Sequence, residues 1–458
     1  MVKNHKQNRK QKKVKRQRLK IVHPHAAGID VGSRKHYVAI PAECGDETVR
    51  HFGCLTPDLH EMAKWLKQNG VDTVAMESTG VYWIPVAQIL DQYGIEVNLV
   101  DARAAKNVPG RKSDVQDCQW LQELHTFGLL RAAFRPTNDM VVLRSYWRHR
   151  KELVKAAAEQ IHLMQKSLEL MNLQLHKVIS DITGLTGMKI IRAILSGQRD
   201  PLALAKMRHR SIKSSEETIA KALTGDWREE HLFTLEQALE AYDFYHRQIA
   251  ACDQRIERYM QTFPTKGDVP DDDKRGRGYR RKNQVRFDLR SELHRVTGVD
   301  LTTIDAIDVL TAQTVISECG YDMSRFPTED HFSSWLGLSP NNVITGGKVR
   351  RRATRKVYNR AADALRVAAQ SLHRSKTALG AFYRRMKGRI GPAKAITATA
   401  HKLATLIYRM LKYGMAYVDR GQEAYEHQYQ EGLLRSLRKR AKQMGYEIVA
   451  LQSGGSVS

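Results

Sequence analysis

From Ala26 to Asp101 short apolar runs alternate with amphipathic ones, and this alternation confines the segment to an α/β sheet. The runs AAGIDVG and HYVAIPA read as a strand pair, TVRHFGCLT as a third strand, VDTVAMEST as a fourth and IEVNLVD as a fifth. Between them PDLHEMAKWLKQNG, with Pro57 at its start and Gly70 at its end, reads as a helix, as does YWIPVAQILDQYG. The sheet domain is expected over residues 25–135.

The chain then turns helical. No Pro or Gly interrupts it between Pro136 and Gly184, and Ile161, Met164, Leu168, Met171, Leu175 and Val178 recur at spacings of 3 and 4. That spacing predicts a continuous coiled-coil seam. A second run, from about Arg228 to Phe263, repeats it in Leu232, Leu235, Leu239 and Tyr242 and again in Ile249, Cys252, Ile256 and Tyr259. The two runs can pair within one chain or between chains, which makes residues 136–264 a coiled-coil and dimerisation region. Between them Ser214 and Glu217 have the spacing of a capping box. Residues 265–287 read as a polar linker, 288–418 as a compact, mainly helical domain, and 419–458 as a charged helix with a disordered tail.

Charge narrows the function. There are 75 Lys and Arg against 49 Asp and Glu, a formal excess of 26 positive charges. Such a chain suits a polyanion, with nucleic acid the usual partner and an acidic membrane surface the competing one. The first twenty residues hold ten Lys or Arg and no acid, so residues 1–24 are expected to be a disordered basic tail that meets phosphate. No apolar run is long enough to span a membrane and no signal peptide is evident. Five scattered cysteines with no CxxC argue against a disulfide scaffold or a zinc site and for the cytoplasm. His23 and His25 read as linker residues.

Against this basic background four carboxylates stand out. Asp30 interrupts an apolar strand, where an unpartnered carboxylate is costly. Glu77 ends the strand VDTVAME, and Asp114 and Asp117 share a helix face just after Arg111, Lys112 and Ser113. Taken alone, Ser113, Asp114 and Asp117 are explained by helix capping. Together with Asp30 and Glu77 they point to a metal site, because acids gathered in one cleft repel unless cations neutralise them. Mg2+ prefers such oxygen donors, and a pair of these ions clamps the attacking and leaving oxygens of a phosphodiester.

The stretches GIDVGSRKHYVAI, MESTGVYW, VDARAAKNVPGRKSDVQDCQWLQEL and, far downstream, HFSSWLGLSPNNVITGGKVRRRATRKVYNRAADALRVAA resemble the DEDD transposases of bacterial insertion sequences, the bridge-RNA-guided recombinases. The resemblance implies a RuvC-like domain of RNase H fold, a coiled-coil insert and a C-terminal transposase domain. It implies Asp30, Glu77, Asp114 and Asp117 as metal-binding acids, with Mg2+ as the ion and Mn2+ as a substitute. It also implies donor and target DNA, a structured guide RNA, a homo-oligomer (dimer or tetramer) and a bacterial, nucleoid-associated setting.

The family's nucleophile is a serine before Gly-Gly-Lys, and here that place is taken by Thr345. Threonine keeps the hydroxyl and adds a crowding methyl; Ser339 is the alternative. A Gly-rich hairpin that binds phosphate in relatives carries Ala306 and Asp308 in its glycine-like places. Lys348, Arg350, Arg351, Arg352, Arg355, Lys356 and Arg360 fall within thirteen residues free of acid, a run suited to backbone phosphates. Trp335, Trp83 and Tyr82 read as core or as base-stacking aromatics. Two rival readings remain at this point: a metal-dependent structure-specific DNA nuclease that uses water, and a catalytically defective nucleic-acid-binding copy.

Overall fold

A computed structural model describes residues 20–78, 80–100, 113–267, 283–351, 353–355, 357–419 and 421–449. The chain divides into two compact units, Met1–Arg135 and Pro136–Ser458. The first twenty residues lie outside the described residues except for Lys20, as does most of the polar linker.

In the first unit all five expected strands form: β1 (Ala26–Val31), β2 (Lys35–Ala39), β3 (Val49–Gly53), β4 (Thr73–Glu77) and β5 (Glu96–Val100). They pair in the order β3-β2-β1-β4-β5. The first three are antiparallel, and β1, β4 and β5 are parallel. The expected helices form as α1 (Thr56–Gln68) and α2 (Trp83–Gln92), and α3 spans Asp114–Thr126. Successive strand residues face opposite sides of a sheet. Ala27 and Ile29 of β1 and Val74 and Met76 of β4 are fully buried in a core shared with Leu59, Met62, Leu66, Val86 and Leu90. The opposite face, which carries Gly28, Asp30 and Glu77, is where α3 packs. This mixed sheet with a mainly helical remainder is the RNase H-like α/β architecture followed by helices that the resemblance implies.

The second unit is built on two long helices, α4 (Asn138–Leu170) and α9 (Glu229–Met260), which pair with each other within the chain. Short helices lie between them: α5 (Leu175–Val178), α6 (Leu185–Leu195), α7 (Pro201–Ala205) and α8 (Glu216–Ala222). The expected seam is buried, but not by one continuous helix. Met164, Leu168, Met171 and Leu175 share a core with Ile190, Ile191, Ile194 and Leu235. The long helix nevertheless stops at Leu170, although no Pro or Gly marks the end. Asn172 takes a left-handed conformation (φ 55°), which Asn tolerates better than most side chains. The Met171 carbonyl then accepts the Asp226 amide, and the Gln174 amide donates to Ala222. A tertiary contact therefore takes the hydrogen bonds that continuing the helix would use. The cap of α8 also differs by one residue from the expected box. Ser215, not Ser214, accepts the Thr218 amide at 3.2 Å, while the Ser214 hydroxyl donates to the Val178 carbonyl.

Past the linker come α10 (Leu289–Thr297), α11 (Val309–Cys319), α12 (Glu329–Trp335), the hairpin of β6 (Val343–Thr345) and β7 (Lys348–Arg351), α13 (Arg360–Ser371), α14 (Ala378–Ile390), α15 (Pro392–Tyr413) and the charged α16 (Gly421–Gln443). A buried ion pair, Arg150 with Asp253, ties α4 to α9. It also pins the end of the linker, because Arg150 donates to the Asn283 carbonyl and Asp253 accepts the Arg286 amide. Trp335 is half-buried and packs against Phe326 and Phe332. Among the described residues no helix is long and apolar enough to cross a membrane.

Candidate active site

Strand register brings the first two acids together. The parallel pairing of β1 and β4 runs from Ala26 with Thr73 to Ile29 with Met76. Asp30 and Glu77 are the next residues along, on neighbouring strands and the same face. Glu77 in turn pairs with Val100 on β5. Both carboxylate residues are half-buried.

The third acid is placed by α3. A Cβ on Gly28 would lie 2.2 Å from the Cys118 carbonyl oxygen and 2.3 Å from the Gln122 amide nitrogen, so only glycine admits the helix this close. Further along α3, His125 Nε2 lies 2.9 Å from Thr73 Oγ1, at the opposite end of the strands from Glu77. The two contacts fix the direction: α3 runs antiparallel to β1 and β4. Its start, with Asp114 and Asp117, faces the end of the sheet that carries Asp30 and Glu77.

Cys118 responds to this arrangement. Burial, reinforced by the charges of Asp30 and Asp117, pushes its thiol up to about 12. Two of the acids therefore act on one buried atom from strand and helix. At the helix start Ser113 caps α3 by accepting the Gln116 amide at 3.4 Å, so the capping reading holds as well. Asp117 is half-buried and Asp114 exposed. Arg111 and Lys112 lie outside the described residues. Among the described residues no three His, Cys, Asp or Glu side chains close on one cation-sized point. The donor set at this end of the sheet is nevertheless all carboxylate oxygen, the chemistry that a hard divalent cation prefers.

The opposite end of α3 is a packed junction. His125 is buried, and burial, with His23 beside it, lowers its imidazole to about 4. The ring of His23 stacks on that of His125 at 4.7 Å, and Cys44 Sγ lies 3.8 Å from His25 Nδ1. His23 thus has a packing role at the start of the sheet unit, while His25 is exposed.

In the second unit Thr345 ends β6 and pairs with Lys348 across a two-residue turn. Gly346 and Gly347 both have positive φ, 55° and 73°, as the tight hairpin turn of this hand requires. Thr345 is exposed, and a Cβ on either glycine of the turn would meet nothing within 4 Å. Ser339 differs: its Oγ is buried with no hydrogen-bond partner among the described residues. Lys348, Arg350 and Arg355 are exposed, and Arg355 donates to the Ser334 carbonyl. Arg360 is half-buried at the start of α13, its guanidinium 5.3 Å above the Tyr358 ring. The side chain of Arg351, and Arg352 and Lys356 altogether, lie outside the described residues.

Sequence reasoning misses Tyr358, which is 81% exposed beside this run. It misses Gly28 too, although a glycine inside an apolar strand is itself a signal of close backbone approach. At the hairpin-like turn before α11, Ala306 keeps a left-handed φ of 69° where glycine would be free of strain. Asp308 caps α11 by accepting the Thr311 amide at 2.8 Å, which places a carboxylate where a phosphate would have to approach.

Residues 27–172 match the family of DEDD transposases of IS110 type, described as Transposase, and residues 300–384 match the family described as Transposase IS116/IS110/IS902. The first match ends just past α4, and the second runs from before α11 into α14. No curated protein matches the chain.

Proposed function

The chain belongs to the IS110 family of transposases, which cut and rejoin DNA, and from that premise we propose that it is an RNA-guided, divalent-metal-dependent DNA recombinase. Transposase domains of the DEDD type generally depend on a divalent metal. The observation that carries the reading is the row of Asp30 and Glu77 at the sheet end toward which Asp114 and Asp117 face.

In this reading Asp30, Glu77, Asp114 and Asp117 hold Mg2+, with Mn2+ as a substitute. Bound there, the ion supplies Lewis acidity toward a phosphodiester. Thr345 supplies the nucleophile to an acidic site of another subunit, which makes the working species a homo-oligomer. Its hydroxyl oxygen forms a bond to phosphorus while one deoxyribose oxygen leaves and takes up the proton. Attack by a hydroxyl of the exchanged strand reverses these steps and restores threonine. Lys348, Arg350, Arg351, Arg352, Arg355, Lys356 and Arg360 hold the DNA through its phosphates, and a structured RNA encoded beside the gene chooses the target. Exposure of Thr345 and burial of Ser339 Oγ support threonine as the attacking group.

The test is strand exchange with a cognate RNA and both DNA partners. Asp30→Asn and Asp117→Asn should each abolish exchange while DNA binding persists, and wild type should yield a covalent protein–DNA species. Exchange that survives complete metal removal, or hydrolysis with no adduct, would replace this reading with the water-using nuclease.

A further inference from the structure

Glu318, in the last turn of α11, is 6% exposed and held by two arginines of α4. Arg148 binds both of its oxygens, Nε at 2.8 Å and Nη2 at 2.6 Å. Arg144 lies 3.5 Å from the same carboxylate and donates to the Ser317 carbonyl at 3.1 Å and to that of Glu318. These two arginines satisfy the acid and the carbonyls at the end of α11, where positive charge is favourable.

Two further cations are not needed for that task. Lys151 follows Arg144 and Arg148 on the same face of α4, at helical spacing. It is half-buried, and burial holds its ammonium below the usual lysine range, with Arg360 adding to the effect and Glu318 opposing it. Arg360, the first residue of α13, presses in the same sense on Arg144. Lys151 and Arg360 thus add positive charge beside a carboxylate that Arg144 and Arg148 already hold, and like charges that lose water without a counter-charge are costly. The N-terminus of α13 is not what calls for an anion, because Asn359 already accepts the Ala361 and Ala362 amides.

We propose that the corner between α4, α11 and the start of α13 binds a backbone phosphate of nucleic acid, with Lys151 and Arg360 as its direct partners and Arg144, Arg148 and Glu318 as their frame. The site rests on the reading that this chain handles nucleic acid. It extends the basic run from Lys348 to Arg360 onto the long helix, so the strand is held across two elements. DNA and RNA offer the same phosphodiester, and the measurement separates them.

Affinity of the full chain for a duplex DNA and for a single-stranded RNA is measured against salt concentration, with thermal melting alongside. Lys151→Met should flatten the log–log salt slope by about 0.9 for the duplex or about 0.7 for the single strand. The melting temperature should hold or rise, because a desolvated charge has been removed. Lys151→Arg should keep the wild-type slope. A smaller slope in one arm supports the site and names the strand it holds. Wild-type slopes retained by Lys151→Met in both arms, or a fall in melting temperature with unchanged slopes, overturn it. Wild type that binds neither nucleic acid overturns the functional reading as well.

Discussion

Gly28 and Cys118 touch through backbone alone: a methyl group on Gly28 would sit 2.2 Å from the Cys118 carbonyl oxygen. That contact sets the height of α3 above the sheet, and with it the position of Asp117 relative to Asp30. Gly28→Ala cannot be accommodated by turning a side chain, so the helix must lift. A loss of about 1–3 kcal/mol of stability is expected, as for other overpacked sites. Strand exchange should fall further than stability alone explains. Melting and single-turnover exchange, measured on the same preparation, check both.

Thr345 separates hydroxyl chemistry from packing. Thr345→Val keeps the branched shape and should stop exchange and adduct formation. Thr345→Ser removes only the methyl and should keep activity or raise it. The hairpin is exposed, so neither change should move the melting temperature by more than about 0.5 kcal/mol of equivalent stability. Full exchange by Thr345→Val would reassign the nucleophile.

The stability of the first unit should depend on pH through His125. Its imidazole stays neutral in the fold down to about 4, whereas an unfolded histidine takes up a proton near 6.5. The unfolded state therefore binds more protons between these values, and stability falls as pH drops through that window. The stabilisation is complete above the unfolded value and amounts to at most about 3–4 kcal/mol. Chemical denaturation at a series of pH values should show the decline, and His125→Gln should flatten it.

Arg150 and Asp253 are 3% and 1% exposed. Removing one partner strands the other charge in the interior, so Asp253→Ala should cost about 3–5 kcal/mol. It also releases the Arg286 amide and loosens the end of the linker. Faster proteolysis near residue 286 in the variant, with the far end of α4 unaffected, is the expected pattern. An unchanged melting temperature would count against the pair's structural role.

How much of the fold and the site was legible in the sequence depended on the range of the interaction. Strands β1 to β5 and helices α1 and α2 follow from local periodicity and punctuation, and Asp30 was conspicuous because its neighbours are apolar. The cap of α8 slipped by one residue because Ser214 and Ser215 are both competent caps, and Val178, far away in sequence, claims the first. The end of α4 was not legible, since residues 222–226 rather than a Pro or Gly stop it. Ala306 shows the limit from the other side: the expected departure from glycine is present, yet the backbone keeps the left-handed turn at some strain. The cation cluster at Glu318 joins residues some 170 positions apart, beyond the reach of any spacing rule.

The pairing of α4 with α9 has a mechanical consequence. At its base α4 is bolted to α11 by Arg144, Arg148 and the bond from Trp147 Nε1 to Thr314 Oγ1, and to α9 by Arg150. The residues from Arg150 to Leu170 then rise about 30 Å, with no other such fastening to α11 among the described residues. At that length a tilt of one degree at the base carries the tip about half an ångström. The helix pair is thus a long lever held at one end, where three arginines set its angle against α11 and keep its two arms together.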